Sequence, residues 1–303
     1  MKTGIIYALL PLVLLGCSKK ANEALVRSQP SPIPQTIPKG AFPGIPFAVT
    51  FVETPETREV IDISNRTEMW LAVKDYDDLD AFAKKLRDSK ECYADGAWKL
   101  KFIYDGGLKL PEGASATEWT AHLAALEAWT NARPDSITAR VALAYSLVLY
   151  AWNARGDGLA DTVTDQGWRL FNQRLNEAVT VLDEAKPLPQ QCPYWWNVRL
   201  ITELGLSTAR SQYDQTFEAA TRDWPDYENY YTRRAYYLFP RWYGTEGEWE
   251  SDLGNAADKT GDNEGDLLYA RVVWQMHQCG FFTNIFKECN LSWPRVDKGF
   301  AVV

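Results

Sequence analysis

The densest apolar block in the chain is ITARVALAYSLVLYAW, residues 137–152, in which Arg140 is the one charged side chain. Val141, Tyr145, Val148 and Trp152 share one face at helical spacing, and Ala142, Leu143, Leu147, Leu149 and Ala151 make the other faces apolar too. A helix apolar all round is buried all round, so the pattern predicts a central helix with further helices layered on it. The stretch falls short of the roughly 20 apolar residues that a bilayer span requires.

The flanking segments repeat helical periodicity between breakers. Leu79, Phe82, Ala83 and Leu86 mark a helix from Asp77 that closes by Asp95-Gly96. Ser115-Ala116-Thr117-Glu118 reads as a capping box before Trp119, Leu123 and Leu126, and Pro134-Asp135-Ser136 breaks the chain ahead of the central helix. Thr164 is placed to cap a helix through Trp168, Phe171, Leu175, Ala178 and Leu182, ending by Pro187. Cys192-Pro193 opens another, with proline in the first turn. Tyr213, Phe217 and Ala220 mark a further helix, and Pro225-Asp226-Tyr227 leads into one through Tyr230, Arg234 and Leu238. Thr245 and Glu248 read as a second capping box before Trp249 and Leu253, and Tyr269, Val272, Val273 and Met276 mark the last clear helix. Phe47–Val52 and Glu59–Ser64 alternate weakly, which predicts a short extended segment over 47–65, as a small hairpin or lying along the body. The expected fold is all-α, an irregular tetratricopeptide-like array of antiparallel helix pairs with that extended segment at its N-terminal side. Pro193 and Pro225 lie 225 − 193 = 32 residues apart, near the tetratricopeptide period of about 34. The other intervals differ, and a plain helical bundle satisfies the same pattern.

The N-terminus carries a different signal. Lys2 precedes an apolar run from Ile5 to Leu15, followed by Gly16-Cys17. The Leu14-Leu15-Gly16-Cys17 ending resembles the lipobox of bacterial lipoproteins, with an ordinary secretory signal or a short membrane anchor as the alternative. The resemblance implies cleavage before Cys17, lipidation of Cys17, a membrane partner held through that lipid, and a mature chain of 303 − 16 = 287 residues. Ser18, in place of Asp, resembles the class sorted to the bacterial outer membrane, facing the periplasm or the cell surface. The expected organisation is a signal peptide over 1–16, a Pro-rich tether over 17–46, the extended segment over 47–65 and a helical domain over 66–303.

A net charge of −8 and a pI near 5.0 argue against a nucleic-acid partner. Thirteen Trp and fifteen Tyr serve either helix packing or a recognition surface. Apart from Cys17 the cysteines are Cys92, Cys192, Cys279 and Cys289, none spaced as CxxC. Cys279 and Cys289 flank the short segment GFFTNIFKE and form the candidate disulfide, with buried thiols as the alternative.

The candidate chemistry is sparse. Arg155-Gly156-Asp157-Gly158 and Asp161 follow the central helix, where a glycine cap and a structural Arg155–Asp161 pair compete with a ligand site. Pro240-Arg241-Trp242-Tyr243-Gly244 makes either a corner or an Arg-Trp-Tyr platform for a sugar or an anionic group. Arg155, Asp161, Trp168, Arg241, Trp242, Tyr243 and Glu248 therefore form the candidate binding surface. Glu246, Glu248, Glu250 and Asp252 cluster, but an i, i+2 spacing turns successive acids apart on a helix, as on a solvated face. Asp258, Asp262, Glu264 and Asp266 interleave with glycines but lack the terminal glutamate of a calcium loop, so no metal site is assigned. His122 and His277 belong to no HExxH or triad arrangement. No catalytic residue is assigned and no cofactor is implied.

The segments AWNARG (151–156), ADTVTDQGW (160–168) and PRWYGTEGE (240–248) are similar to a family of bacterial secreted helical domains that bears only a domain-of-unknown-function label. The resemblance covers roughly residues 66 to 300 and implies an all-α fold without a known activity. It also implies a further helix beyond SWPRVDKGF (292–300). The function expected from these features is a lipid-anchored, non-catalytic envelope protein whose helices present an aromatic groove to a protein or peptide partner. The alternative is a glycan-binding or glycan-cleaving envelope enzyme. Cleavage requires two of Asp161, Glu246, Glu248 and Asp266 to face each other across about 5–10 Å in an aromatic cleft.

Overall fold

The computed structural model describes residues 54–302 apart from residues 94, 95, 112 and 157; the expected signal peptide, Cys17, the expected tether and residues 47–53 lie outside the described residues. Helix α1 spans Pro55–Val73: Thr54 caps it by accepting the Thr57 N–H at 3.1 Å, and proline occupies the first turn. Its buried residues Val60, Ile63, Thr67 and Leu71 recur at helical spacing. The expected extended segment is therefore corrected from Pro55 onward, because this longer stripe outranks the weak alternation of Glu59–Ser64. Helix α2 (Tyr76–Ser89) buries Leu79, Ala83 and Leu86, and a π turn follows at Ile103–Gly107. Helix α3 (Ala116–Ala132) opens on the expected capping box, with Ser115 Oγ accepting the Glu118 N–H at 3.2 Å and Glu118 Oε2 accepting the Ser115 N–H at 2.7 Å.

Helix α4 (Ile137–Arg155) is the central element that the apolar block predicts. Fourteen residues from Ile137 to Trp152 are buried, spread over all its faces, and α2, α3, α5 (Asp165–Ala185) and α6 (Pro193–Gly205) pack around it. Burying each of Val141, Leu143, Leu147, Val148 and Leu149 contributes about 1.5–3 kcal/mol, so the pattern alone is a strong driving force for this position. Ser136 caps α4 by accepting the Ala139 N–H at 3.0 Å, and Thr164 caps α5 by accepting the Gly167 N–H at 3.0 Å. Helices α7 (Arg210–Asp223) and α8 (Asn229–Tyr237) pack on α6; α9 (Glu248–Thr260), α10 (Asp262–Gln278), the short α11 (Ile285–Glu288) and α12 (Trp293–Phe300) complete the chain. The fold is all-α: among the described residues no strand forms, and Cys92 and Trp98 make an isolated bridge.

Most of the aromatic excess goes into packing. Trp129, Trp249, Tyr104, Tyr194, Tyr213 and Tyr237 are fully buried, with Tyr213 stacked on Tyr237 at 3.6 Å and Tyr104 on Tyr194 at 4.3 Å between ring centres. Buried phenols require acceptors, and Asp105 in the π turn serves two of them, Tyr145 at 2.7 Å and Tyr194 at 2.5 Å. The expected Cys279–Cys289 bridge is absent. Cys279 Sγ donates to the Gln275 carbonyl at 3.3 Å within its own helical turn, whereas the Cys289 thiol bonds the Glu250 carboxyl on α9, so the two sulfurs serve different elements. The second capping box is also altered. Gly247 in the left-handed conformation is the cap residue of α9, and the Thr245 N–H and hydroxyl both donate to the Glu248 carboxylate, at 2.8 and 3.1 Å.

Candidate functional site

A cleft of about 360 Å³ opens where the C-terminal end of α4 meets α5, the end of α6 and the loop between α8 and α9. Gly156, at φ 72°, ends α4, so the helix stops just after it has brought Trp152 and Arg155 to this edge. Leu159, 63% exposed, stands at the rim from the loop that follows. The Thr164 cap starts α5 so that Trp168 falls in its first turn, beside Phe171, the ring centres 5.7 Å apart. At the end of α6, Gly205 lets that helix come in close: a Cβ there would stand 2.7 Å from Leu175 Cδ1 and 3.0 Å from Phe171 Cζ.

The loop after α8 closes the opposite side. Trp242 N–H donates to the Phe239 carbonyl at 2.8 Å and Tyr243 N–H to the Tyr237 carbonyl at 3.1 Å, a tight return that turns successive side chains onto the cleft. Tyr243 Oη stands 2.9 Å from the Leu204 carbonyl oxygen and 2.8 Å from Ser207 Oγ, which fastens the loop to the end of α6. The segment thus forms a corner, with Arg241, Trp242 and Tyr243 lining the cleft.

Arg155 sits among three indoles, its guanidinium carbon 5.5 Å from the Trp152 ring centre, 5.5 Å from Trp168 and 5.8 Å from Trp242. Its Nη1 donates to the carbonyls of Gly156 at 3.0 Å and Gly158 at 3.1 Å, which fixes the group in place. Arg241 lies over Trp242 at 5.9 Å and over Phe281 at 4.9 Å. Trp152 and Trp242 meet edge to face at 5.7 Å. Behind Trp152 and Leu204 lies a second void of about 30 Å³, reached by Tyr145, Arg233 and Tyr236.

Of the seven residues singled out from the sequence, Arg155, Trp168, Arg241, Trp242 and Tyr243 line this cleft together. Asp161 does not: it is exposed on the 3-10 turn Ala160–Thr162, and the Arg155–Asp161 pair is replaced by the indole cage and the two carbonyls. Glu248 is drawn away by Arg210, whose Nη2 donates to it at 2.9 Å. Burial pushes the Glu248 carboxyl up, but the Thr245 N–H and Arg210 outweigh it and the net pKa lies below the usual value. Trp152, Gly205 and Ser207 were not predicted as site residues. Trp152 carries the same signature as the core positions of α4, and no local signal marks the other two.

The acids weighed for glycan cleavage are dispersed. Asp266 is held by Lys298 at 2.6 Å and Arg295 at 2.9 Å, chiefly the lysine keeping its carboxyl below the usual range, and Glu246 is exposed on the loop before α9. None of the described residues lining the cleft is acidic. His122 Nε2 lies 3.2 Å from both the Leu108 carbonyl and Ser146 Oγ, burial lowers its pKa, and neither it nor His277 lines the cleft. Among the described residues no group of three or more potential ligands is placed to hold a metal, and no helix is long and apolar enough to cross a membrane. Comparison with protein-family models, with curated proteins and with solved structures finds no match, so the cleft's chemistry rests on its own geometry.

Proposed function

We propose that this chain is a lipid-anchored protein of the bacterial outer membrane, non-catalytic, whose cleft at the end of α4 binds a peptide segment of a partner protein. One observation carries this reading: Trp152, Trp168, Trp242 and Tyr243 converge with Arg155 and Arg241 on one cleft of about 360 Å³. Large rings and arginine are the side chains that give most energy to protein recognition when they are clustered and desolvated. The volume lies near the lower end of the roughly 300–1,000 Å³ typical of ligand sites, which suits one or two residues of an inserted segment. Dispersal of Asp161, Glu246, Glu248 and Asp266 speaks against the glycan-cleaving alternative, which requires two carboxyls flanking one bond.

The test is capture from envelope extract with a photocrosslinker placed at Leu159 on the rim, in wild type and in Trp242→Ala. The expected result is a discrete protein adduct in wild type that disappears in the variant. Specific retention of glycan with no protein adduct would replace the peptide reading with the glycan one.

A further inference from the structure

Four of the eight large apolar side chains that are exposed among the described residues fall between Phe286 and Val302: Phe286 at 37%, Trp293 at 57%, Phe300 at 46% and Val302 at 41%. Phe286 and Trp293 touch edge to face, their ring centres 4.9 Å apart. Trp293 and Phe300 stand seven residues apart on α12, two turns along one side of the helix. The other side is fixed. Val296 and Gly299 are buried, and a Cβ on Gly299 would stand 2.7 Å from Ala270 Cβ on α10. Arg295 donates to Asp266 and to Asp258 at 2.9 Å each, and Lys298 pairs with Asp266 at 2.6 Å. These contacts hold α12 on α10 with its rings outward, and exposed apolar surface gathered in one place marks an interaction site.

Two observations point to what covers this patch. The first is charge. Residues 285–302 carry Lys287, Arg295 and Lys298 against Glu288 and Asp297, so 3 − 2 = +1 in a chain of −8. Arg295 and Lys298 also neutralise Asp258 and Asp266 beside them. Trp and Phe flanked by Lys and Arg are the side chains with which an amphipathic helix lies in the headgroup region of an anionic bilayer. The second is the place where the chain from Cys17 enters the described residues, at Thr54. Glu59, near the start of α1, pairs with Lys99 at 2.6 Å. Three residues before Lys99, Gly96 lies directly against the Arg271 guanidinium of α10, and Arg271 follows the Ala270 on which Gly299 of α12 rests. The entry point and α12 are therefore a few side-chain contacts apart.

From this placement we infer that α11 and α12 form a membrane-contact surface, with Phe286, Trp293 and Phe300 entering the headgroup region of an anionic phospholipid bilayer and Lys287 and Lys298 at its phosphates. The inference rests on the lipid-anchor part of the reading above. So short a helix does not hold a protein to a bilayer by itself; the anchor supplies the attachment, and the patch sets which side of the body faces the lipid.

The test reconstitutes the full acylated chain into vesicles of phosphatidylethanolamine and phosphatidylglycerol, with a photocrosslinking residue in place of Phe300 or, for comparison, of Leu159 on the cleft rim. Flotation reports the anchor, and mass spectrometry of the irradiated protein identifies the adduct. The expected result is flotation of both forms, with a phospholipid adduct at position 300 severalfold above that at position 159. Trp293→Glu should cut the adduct at position 300 severalfold while flotation and the circular dichroism spectrum stay unchanged. Flotation with equal lipid adducts at the two positions, or with none at position 300, overturns the membrane contact and leaves the anchor standing. The same holds if the adduct at position 300 is a second copy of the chain or another part of the same chain, or if Trp293→Glu leaves the lipid adduct unchanged. Failure of the acylated chain to float overturns both.

Discussion

Two glycines in adjacent helices make opposite demands on their surroundings. Gly254 lies inside α9 with nothing within 4 Å of the place a Cβ would take, whereas a Cβ on Gly265 in α10 would collide with the Ala257 carbonyl of α9. Gly254→Ala is therefore expected to raise the free energy of unfolding by about 0.5–1 kcal/mol, through helix propensity and a less disordered unfolded chain. Gly265→Ala forces two backbones apart and should lower it by about 1–3 kcal/mol. Urea unfolding of both variants checks the pair, and a neutral Gly265→Ala would show that the contact yields. A second residue of interest is Glu203, 2% exposed on α6. Its Oε1 accepts from Arg199 at 2.8 Å and Thr216 at 3.0 Å, and its Oε2 is buried without a partner. Burial raises its carboxyl above 4.5, against the pull of Arg199 and Thr216. A raised folded pKa means the folded state binds the proton more tightly, so stability is gained as pH falls through the raised value and is complete below 4.5. Glu203→Gln removes that gain, and its unfolding free energy should rise less than wild type between neutral pH and the region just above 4.5. An identical rise in the variant would assign the effect to Asp80, the other carboxyl that burial raises.

Helix α4 depends on one side chain at its start. Ser136 Oγ accepts the Ala139 N–H at 3.0 Å and donates to Asp80 Oδ1 at 2.5 Å, joining the cap of α4 to α2. Ser136→Ala loses the cap and leaves the half-buried Asp80 with Trp129 at 3.4 Å, so the expected loss is about 1–3 kcal/mol, larger than for Ser115→Ala on the exposed cap of α3 at about 1 kcal/mol. The segment between α10 and α12 makes a different prediction, because Cys279 and Cys289 form no bridge. Burial pushes both thiols up to about 12, with Glu250 adding to the effect at Cys289. Alkylation without reductant should modify both after denaturation and neither readily in the native protein; a Cys279–Cys289 peptide in non-reducing maps would restore the clip. These elements show what a single sequence discloses. The apolar block of α4, the break at Pro134-Asp135-Ser136 before it, the caps at Ser115 and Thr164 and the stripes of α5 and α7 are local signals, and each stands where expected. Helix α1 was hidden because its buried positions include Thr67, which a polar reading places outside, and its hydroxyl is satisfied by the Ile63 carbonyl of the same helix. The short α11 and α12 hold too few turns for periodicity to show; Val296 and Gly299 of α12 are buried against α10. In the cleft, Arg155, Trp168 and Arg241-Trp242-Tyr243 were visible because arginines and large rings beside helix ends stand out from core patterning. Trp152 was not, since one indole serves both the core and the cleft wall, and Asp161 and Glu248 were misplaced because the direction of a carboxylate depends on distant partners such as Arg210.

At the scale of the whole molecule, the cleft is assembled from helix ends separated by as much as 243 − 152 = 91 residues, so it exists only once α4, α5, α6 and the α8–α9 loop have packed. No single element carries it, and the binding reading predicts that its affinity and the cooperative unfolding of this helical body are lost together. The proposed anchor lies at the other end of the chain and is independent of that packing. Two or three acyl chains on Cys17 hold a protein to a membrane stably, where one chain is marginal. A cleft that binds a partner protein, as proposed, gains from an anchor, because tethering raises the effective concentration at the membrane. Cys17→Ser should therefore leave the cleft's peptide affinity unchanged while moving the protein to the soluble periplasmic fraction or leaving it unprocessed. Metabolic labelling with a fatty-acid probe gives the direct measurement: wild type is expected to carry the label and Cys17→Ser to lose it, and an unlabelled wild type would remove the anchor from the proposal while leaving the cleft untouched.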